Sequence, residues 1–476
     1  MRSASATDVP PNFMTTVAAL AAPVVAREAP DTATKDSFRL VPEPGQRAGV
    51  RRLLSAAADA PLWVMIGAFV LIGGAIVGAG LWTQAAERAA LERTRGAQRA
   101  TEDDDATRPR VEIPDRRGGS FLGDVIPPAP ARLDGAPIPR AALRVARRLS
   151  LERKVGQLML FTFEGQDVTA SIFGTVRDPG LGGLAMESAN YVDPAQLMTV
   201  ATELTEAALQ GRPPVAPFIV AAQEGGEFSA LGAFPPARTP AELGSAREAA
   251  GAARQTVRAL KPLGLNGVLA PVLDVGSEFG IVGERAYSDD PDKVAAYARA
   301  TVRTYNRARM LSVAKHFPGL GAAPSPTDAG PASVGLSIEE LEARDLVPFR
   351  AAIDAGAPAV MLGHGLYATD DSVTPASLSP TIATDLLRRR LRFRGLAVTD
   401  NLAAGAITAT TSVGTAGVRA IRAGADLLYV SGRPQDRQAV YGAVLRAARS
   451  GKIDRERLNE AVLRNLRTKA QLGLIR

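Results

Sequence analysis

The sequence predicts an α/β protein, a (β/α)8 barrel of the TIM type preceded by one transmembrane helix and a disordered linker. Three observations carry this expectation. Short, continuously apolar runs recur after residue 150, amphipathic helical patterns separate them, and an uncharged run of about 21 residues lies far upstream. At 476 residues the chain has room for one domain of roughly 250 to 350 residues plus appendages, the size at which single cores stop growing.

Taken in chain order, residues 1–60 are rich in Ala, Pro and charges with no sustained apolar period, and read as a disordered tail. PLWVMIGAFVLIGGAIVGAGLW follows at 61–82, the length that about 30 Å of hydrocarbon requires of a helix. The protein's two tryptophans, Trp63 and Trp82, stand at its ends, where an interfacial indole belongs. The run is too deep and too long for a cleaved leader, whose apolar part is about 7 to 15 residues, so 61–83 is expected to be a single-pass anchor. Arg47, Arg51 and Arg52 before it balance Arg88, Arg93, Arg95 and Arg99 after it, so charge does not orient it. A cysteine-free domain and the substrate class reached below favour an extracytoplasmic barrel. Residues 84–140 begin with a helical stretch, ERAALERTRGAQRA, and continue as a charged, Pro-rich linker; the folded domain is expected over 141–476.

Within that domain, apolar runs at 157–163, 182–186, 217–222, 267–273, 311–316, 358–364, 396–400 and 426–431 predict eight strands. None alternates, as expected of parallel strands buried on both faces. The helices between them carry start signals. Asp290-Pro291 places an N-cap before a first-turn proline, with Val294, Tyr297, Ala298, Thr301, Val302 and Tyr305 on one face. Ser337 and Glu340 form a capping box ahead of Leu341, Phe349 and Ile353, and Ser379-Pro380 opens a helix ending near Arg390. An open doubly wound sheet shares this periodicity, but the number of units in one domain favours the barrel.

Composition narrows the function. A net charge of +7 is spread over helical segments without interleaved aromatics, so no nucleic-acid partner is expected. The absence of cysteine removes disulfides and thiol catalysis, and two histidines, His316 and His364, are too few for a histidine-rich metal centre. No metal and no cofactor are expected, and nothing here sets an oligomeric state.

Polar residues fall where the predicted strands end: Gln223-Glu224, Asp274, Lys315-His316, His364 and Asp400. Any one strand end meets solvent and carries polar groups for that reason alone. In a barrel, all of these would meet at one rim, where active sites lie.

From 149 to 475 the sequence resembles glycoside hydrolase family 3, and its single-domain β-N-acetylhexosaminidases in particular. The motifs are LGGLAMESANYVDPAQL from Leu181, QEGG from Gln223, APVLDV and VGERAYSDDP between Ala270 and Pro291, AKHFPGLG from Ala314, and LRFRGLAVTDNLAAGAI from Leu391. The resemblance implies a retaining exo-glycosidase with a carbohydrate substrate, in which Asp400 forms the covalent glycosyl-enzyme. It further implies that Lys315, His316 and Arg285 bind sugar hydroxyls, with Asp274, His364 and Glu224 in the same substrate-binding pocket.

The acid/base loop departs from the family. That branch carries an Asp-Ser-His triplet there; this chain reads KHFPGLGAAPSPTDAGPAS, with Leu320 in place of a histidine and Pro326-Thr327-Asp328 at the triplet. Asp328 is the candidate general acid, the alternative being a turn aspartate. Ala222 stands where the family has a sugar-binding aspartate, and Glu227 where an arginine often follows. The competing expectation is therefore a catalytically impaired barrel that binds glycans or partner proteins at a membrane.

Overall fold

Eight parallel strands form one sheet: β1 (Met159–Phe161), β2 (Gly183–Met186), β3 (Phe218–Ala221), β4 (Gly267–Val268), β5 (Leu311–Phe317), β6 (Ala359–Leu362), β7 (Leu396–Thr399) and β8 (Leu428–Val430). The computed structural model describes residues 132–133 and 136–475, apart from 278 and 369. Neighbours run in the order 7-6-5-4-3-2-1-8. A parallel bridge between Val398 and Leu427, with the bonds Thr399 N to Leu427 O and Asp426 N to Ala397 O, nearly closes the sheet into a barrel.

The continuous apolar runs have a direct cause. Along each strand alternate residues point to opposite sides. Phe218 and Val220, Leu311 and Val313, Ala359 and Met361, and Leu396 and Val398 fill the interior with Leu160, Ala185, Leu269 and Leu427. The residues between them, such as Ile219, Ala314, Val360 and Ala397, pack outward against the helices. Both faces are dry, so both periods of the strand are apolar.

All eight expected strands are present; seven are shorter than expected, by one to five residues, and β5 extends one residue further, to Phe317. The shortest, β4, loses its ladder where Pro271 has no N–H to give, yet the chain continues extended beside β5, with Lys315 N bonded to Pro271 O and Leu273 N to Lys315 O. Asp290 caps the helix Pro291–Arg307 through the Asp292 and Lys293 N–H groups, and Ser337 and Glu340 form the expected capping box. The helix opened at Ser379-Pro380 runs Thr381–Arg390 and is wound as a π-helix.

One expectation fails. The helical face running from Leu341 to Ile353 is split into Ile338–Ala343 and Leu346–Asp354. Arg344 leaves helical geometry (φ −122, ψ −74); its guanidinium donates to Val275 O at 2.6 Å, and Asp345 turns into the interior with no exposed surface.

At the amino-terminal end of the strands, the helix Arg455–Leu472 packs on the helix Arg140–Arg148, and Leu472 and Leu474 lie against the barrel interior. Lys469 is wholly buried there, donating to Gln157 Oε1 at 2.7 Å, and burial pushes its ammonium well below the ordinary lysine range. No described helix is long and apolar enough to cross a membrane. The tail expected at 1–60, the anchor at 61–83 and the linker up to 131 lie outside the described residues.

Candidate active site

At the opposite end, the carboxyl-terminal ends of the strands enclose a cavity of about 250 Å³. That is below the roughly 300–1,000 Å³ of pockets that swallow drug-sized ligands, and is scaled to one sugar-sized ring.

β5 supplies two of its walls. Its ladder with β6 is irregular between Ala314 and Phe317, where the Lys315–His316 peptide is cis; a bulge of this kind re-aims side chains beside a site. Lys315 Nζ meets Glu224 Oε1 at 2.5 Å. Arg285 grips the same carboxylate twice, Nε to Oε2 at 2.6 Å and Nη2 to Oε1 at 3.0 Å. Burial works to raise the pKa of Glu224, but Lys315 and Arg285 outweigh it and hold it at about 2. Burial likewise opposes the charge on Arg285, and the Glu224 carboxylate outweighs it. Two cations share one anion, so the cluster presents net positive charge to the cavity.

His316 completes that wall. Its Nδ1 lies 2.7 Å from Asp274 Oδ2, and Asp274 Oδ1 accepts from Leu320 N at 2.7 Å and His316 N at 3.3 Å. A carboxylate only accepts, so Nδ1 carries a proton and Nε2 is aimed at the cavity. There it lies 4.0 Å from Asp400 Oδ2 and 3.4 Å from Arg285 Nη2.

Asp400 directly follows β7. Its N–H donates to Leu362 O at 2.8 Å and its Oδ1 accepts from Asn401 N at 2.8 Å, leaving Oδ2 toward His316. Burial pushes its carboxyl up, but His316, His364, the Asn401 N–H and Lys315 together outweigh this and hold it below the usual range. It is an ionised carboxylate facing the Lys315 and Arg285 side chains across the cavity floor. His364, with no exposed surface, sits behind it: Nε2 to Asn401 O and Nδ1 to Ser377 Oγ, both 2.8 Å. Burial lowers its pKa, opposed by Asp400, and its Nε2 donates to the Asn401 carbonyl. Asn401 Oδ1 in turn accepts from Ser431 N at 2.9 Å, tying the Asp400–Asn401 turn to the end of β8.

Asp328 lies across the cavity on the loop after β5, with an exposed side chain. Among the described residues, backbone bonds hold this part of the loop over the site: Gly405 N to Asp328 O and Ala406 N to Thr327 O, both 2.9 Å. A Cβ at 405 would fall 2.6 Å from the Ala329 carbonyl and 2.7 Å from Asp328 O, so the close approach requires glycine there.

Of the residues expected from sequence, Asp274, Arg285, Lys315, His316, Asp328 and Asp400 line the cavity. Glu224 and His364 stand behind it, holding groups that do. Asn401, Tyr429 and Ser431 also line it and were not foreseen; Asn401 lay within the VTDN stretch, whereas nothing local marks the β8 residues. Ala222, Leu269, Leu320 and Met361 give the cavity an apolar side.

The model of the glycosyl hydrolase family 3 N-terminal domain matches residues 150–468. The chain belongs to glycoside hydrolase family 3. Relatives in the family include an uncharacterized secreted glycosyl hydrolase of Arthroderma benhamiae, 32% identical over 327 residues that span 66% of this chain and 91% of that protein. A beta-hexosaminidase of Xylella fastidiosa is 33% identical over 287 residues, 57% of this chain and 83% of the relative. Among solved structures, a family 3 β-N-acetylglucosaminidase from a Paenibacillus species superposes with a TM-score of 0.66 at 32% identity, covering 68% of this chain and 63% of that longer one. A β-N-acetylhexosaminidase from Beutenbergia cavernae gives 0.61 at 27% identity, covering 68% and 99%.

Proposed function

We propose that this family 3 barrel is a retaining exo-glycosidase that removes a terminal β-linked N-acetylhexosamine from cell-wall or surface glycans. The observation that carries the reading is the ionised Asp400 at the cavity floor beside the Glu224-Lys315-Arg285 cluster and an oriented His316. Asp400 Oδ2 attacks the anomeric carbon while Asp328 gives its proton to the departing glycosidic oxygen. Water, deprotonated by Asp328, then attacks the same carbon and frees Asp400. Lys315, Arg285 and His316 bind the ring hydroxyls, each of which would cost about 1 to 3 kcal/mol if buried unpaired. Named relatives that act on N-acetylhexosamines support the sugar class.

The test is hydrolysis of 4-nitrophenyl glycosides, the β-N-acetylglucosaminide and β-glucoside among them, by the native chain and by Asp400→Ala. Turnover that falls by about 10⁴-fold or more in the variant, with a glycosyl adduct on Asp400 by mass spectrometry in the native chain, is the expected result. A folded protein that turns over none of them would favour the second reading, a glycan-binding barrel with a failed acid. That reading draws on Ala222 and on an Asp328 held only through its backbone. We further infer that residues 61–83 anchor the protein in a membrane, with 1–60 as tail, 84–140 as linker and the barrel outside the cytoplasm; the secreted relative supports this location.

A further inference from the structure

The two ends of the barrel differ in charge. The helix ends and turns leading into the strands carry Arg148, Arg212, Arg309, Arg392, Arg394 and Arg422, all exposed and none in an ion pair. The same end also exposes the carboxylates of Asp178, Glu206, Asp354, Asp454 and Glu456 and further cations at Lys261, Arg307, Lys452 and Arg455. Segments leaving the strands, around the cavity mouth, present Asp167, Glu227 and Asp328, while the exposed Arg238 and Arg433 there are paired with Glu248 and Asp436. Among the described residues, exposed basic side chains therefore outnumber acidic ones at the end away from the active site.

The incoming chain arrives at that basic end. The helix Arg140–Arg148 lies on the C-terminal helix, and Arg467 of the same C-terminal helix donates to the Arg394 carbonyl, so the incoming chain and the Arg392–Arg394 turn flank one element. Ahead of them come the first 131 residues, which contain the uncharged run at 61–82.

We propose that this basic end docks on an anionic lipid bilayer and so points the catalytic cavity away from the membrane. This rests on the anchor inferred above, which would keep the barrel at high effective concentration near the lipid. Clustered arginines are attracted to an anionic leaflet within about a Debye length, ~10 Å at 0.1 M salt, while the acidic mouth is repelled from it. The anchor alone would leave the barrel free to tumble on its linker. Docking fixes which end meets soluble or wall-bound glycan.

The cysteine-free chain allows a direct test. The full-length protein carrying Ser450→Cys, an exposed position at the basic end, or Val168→Cys, exposed beside the cavity end, is labelled with a fluorophore. Each is reconstituted into phosphatidylcholine vesicles with or without about 30% phosphatidylglycerol, containing a nitroxide-headgroup lipid as quencher. Roughly twofold stronger quenching at 450 in the anionic vesicles is expected, none at 168, with the difference lost at about 0.5 M salt or in R148Q/R309Q/R392Q/R394Q/R422Q. Equal quenching in both lipids, with the protein floating with both, overturns docking and leaves the anchor standing. Flotation with anionic vesicles alone would support docking and reject the anchor; flotation with neither rejects both.

Discussion

The two carboxylates proposed to share the catalysis are held in opposite ways. Asp400 sits in a web: its own amide is tied to β6, its Oδ1 to Asn401, and Asn401 to His364 and β8, while facing it Glu224 and Asp274 lock Lys315, Arg285 and His316. Asp328 rides on a loop fixed over the site by two backbone bonds, with its side chain exposed. Positioning a nucleophile below an anomeric carbon demands fixed geometry, and buried paired charges deliver it; delivering a proton tolerates adjustment as the leaving group changes. The departures from the family fall on the adjustable side and on the apolar wall, at Leu320, at the loop and at Ala222.

That contrast can be broken most severely through the acid. Asp328→Ala is expected to lower kcat/KM for unactivated disaccharides by about 10² to 10⁴-fold and for aryl glycosides with good leaving groups far less. Equal slowing of both classes would remove Asp328 from the acid role and make the two halves alike.

Removing the anion of the web comes next. Glu224→Gln strands Lys315 and Arg285 without their counter-charge and should cost on the order of 3 kcal/mol of stability at neutral pH. The sign with pH follows from the depressed pKa. Glu224 binds its proton less readily when folded, so its stabilisation is present above about 4.5 and fades as pH falls toward about 2. Urea melts should show the native chain losing stability over that window and the variant losing less.

A milder change loosens the loop. Gly405→Ala drives a methyl against the Ala329 and Asp328 carbonyls, so the melting temperature should fall by a few degrees and kcat on unactivated substrates about tenfold, with aryl glycosides slowed far less. A variant that keeps full activity on both would mean that the loop does not need its latch.

The smallest effect lies behind the web. Asp345 is buried beside Gly319, its Oδ1 without a hydrogen bond; burial, opposed by Arg344 and reinforced by Asp274, pushes its carboxyl up to about 7. A raised carboxyl pKa favours folding at low pH, and that contribution is lost as pH rises from about 3.8 through about 7. Asp345→Asn should therefore raise the melting temperature at pH 8 by a few degrees, measured by calorimetry, and leave it nearly unchanged at pH 4. A lower melting temperature at pH 8 would mean that the ionised carboxylate is used in the fold.

The barrel and the strand-end positions of Asp400, Lys315 and His316 were legible in the chain alone. Strands wetted on neither face must be apolar at every position, so each run from 157–163 to 426–431 was readable without neighbours, and helix starts such as Asp290-Pro291 are set by local caps. Asp400, Lys315 and His316 were readable because motif and strand end coincide. What depends on distant partners became readable only from the folded chain. Glu224 and His364 stand behind the cavity because Lys315 of β5, Arg285 of the Gly283–Arg285 turn and Asn401 after β7 reach them from other parts of the chain. The helix that the sequence draws through Arg344 breaks because Val275, 69 residues away, offers its carbonyl to the guanidinium. Tyr429 and Ser431 enter the site because the sheet closes, bringing β8 beside β7. Local patterning encodes burial and caps; which charge meets which is fixed only when the barrel closes and excludes water between them.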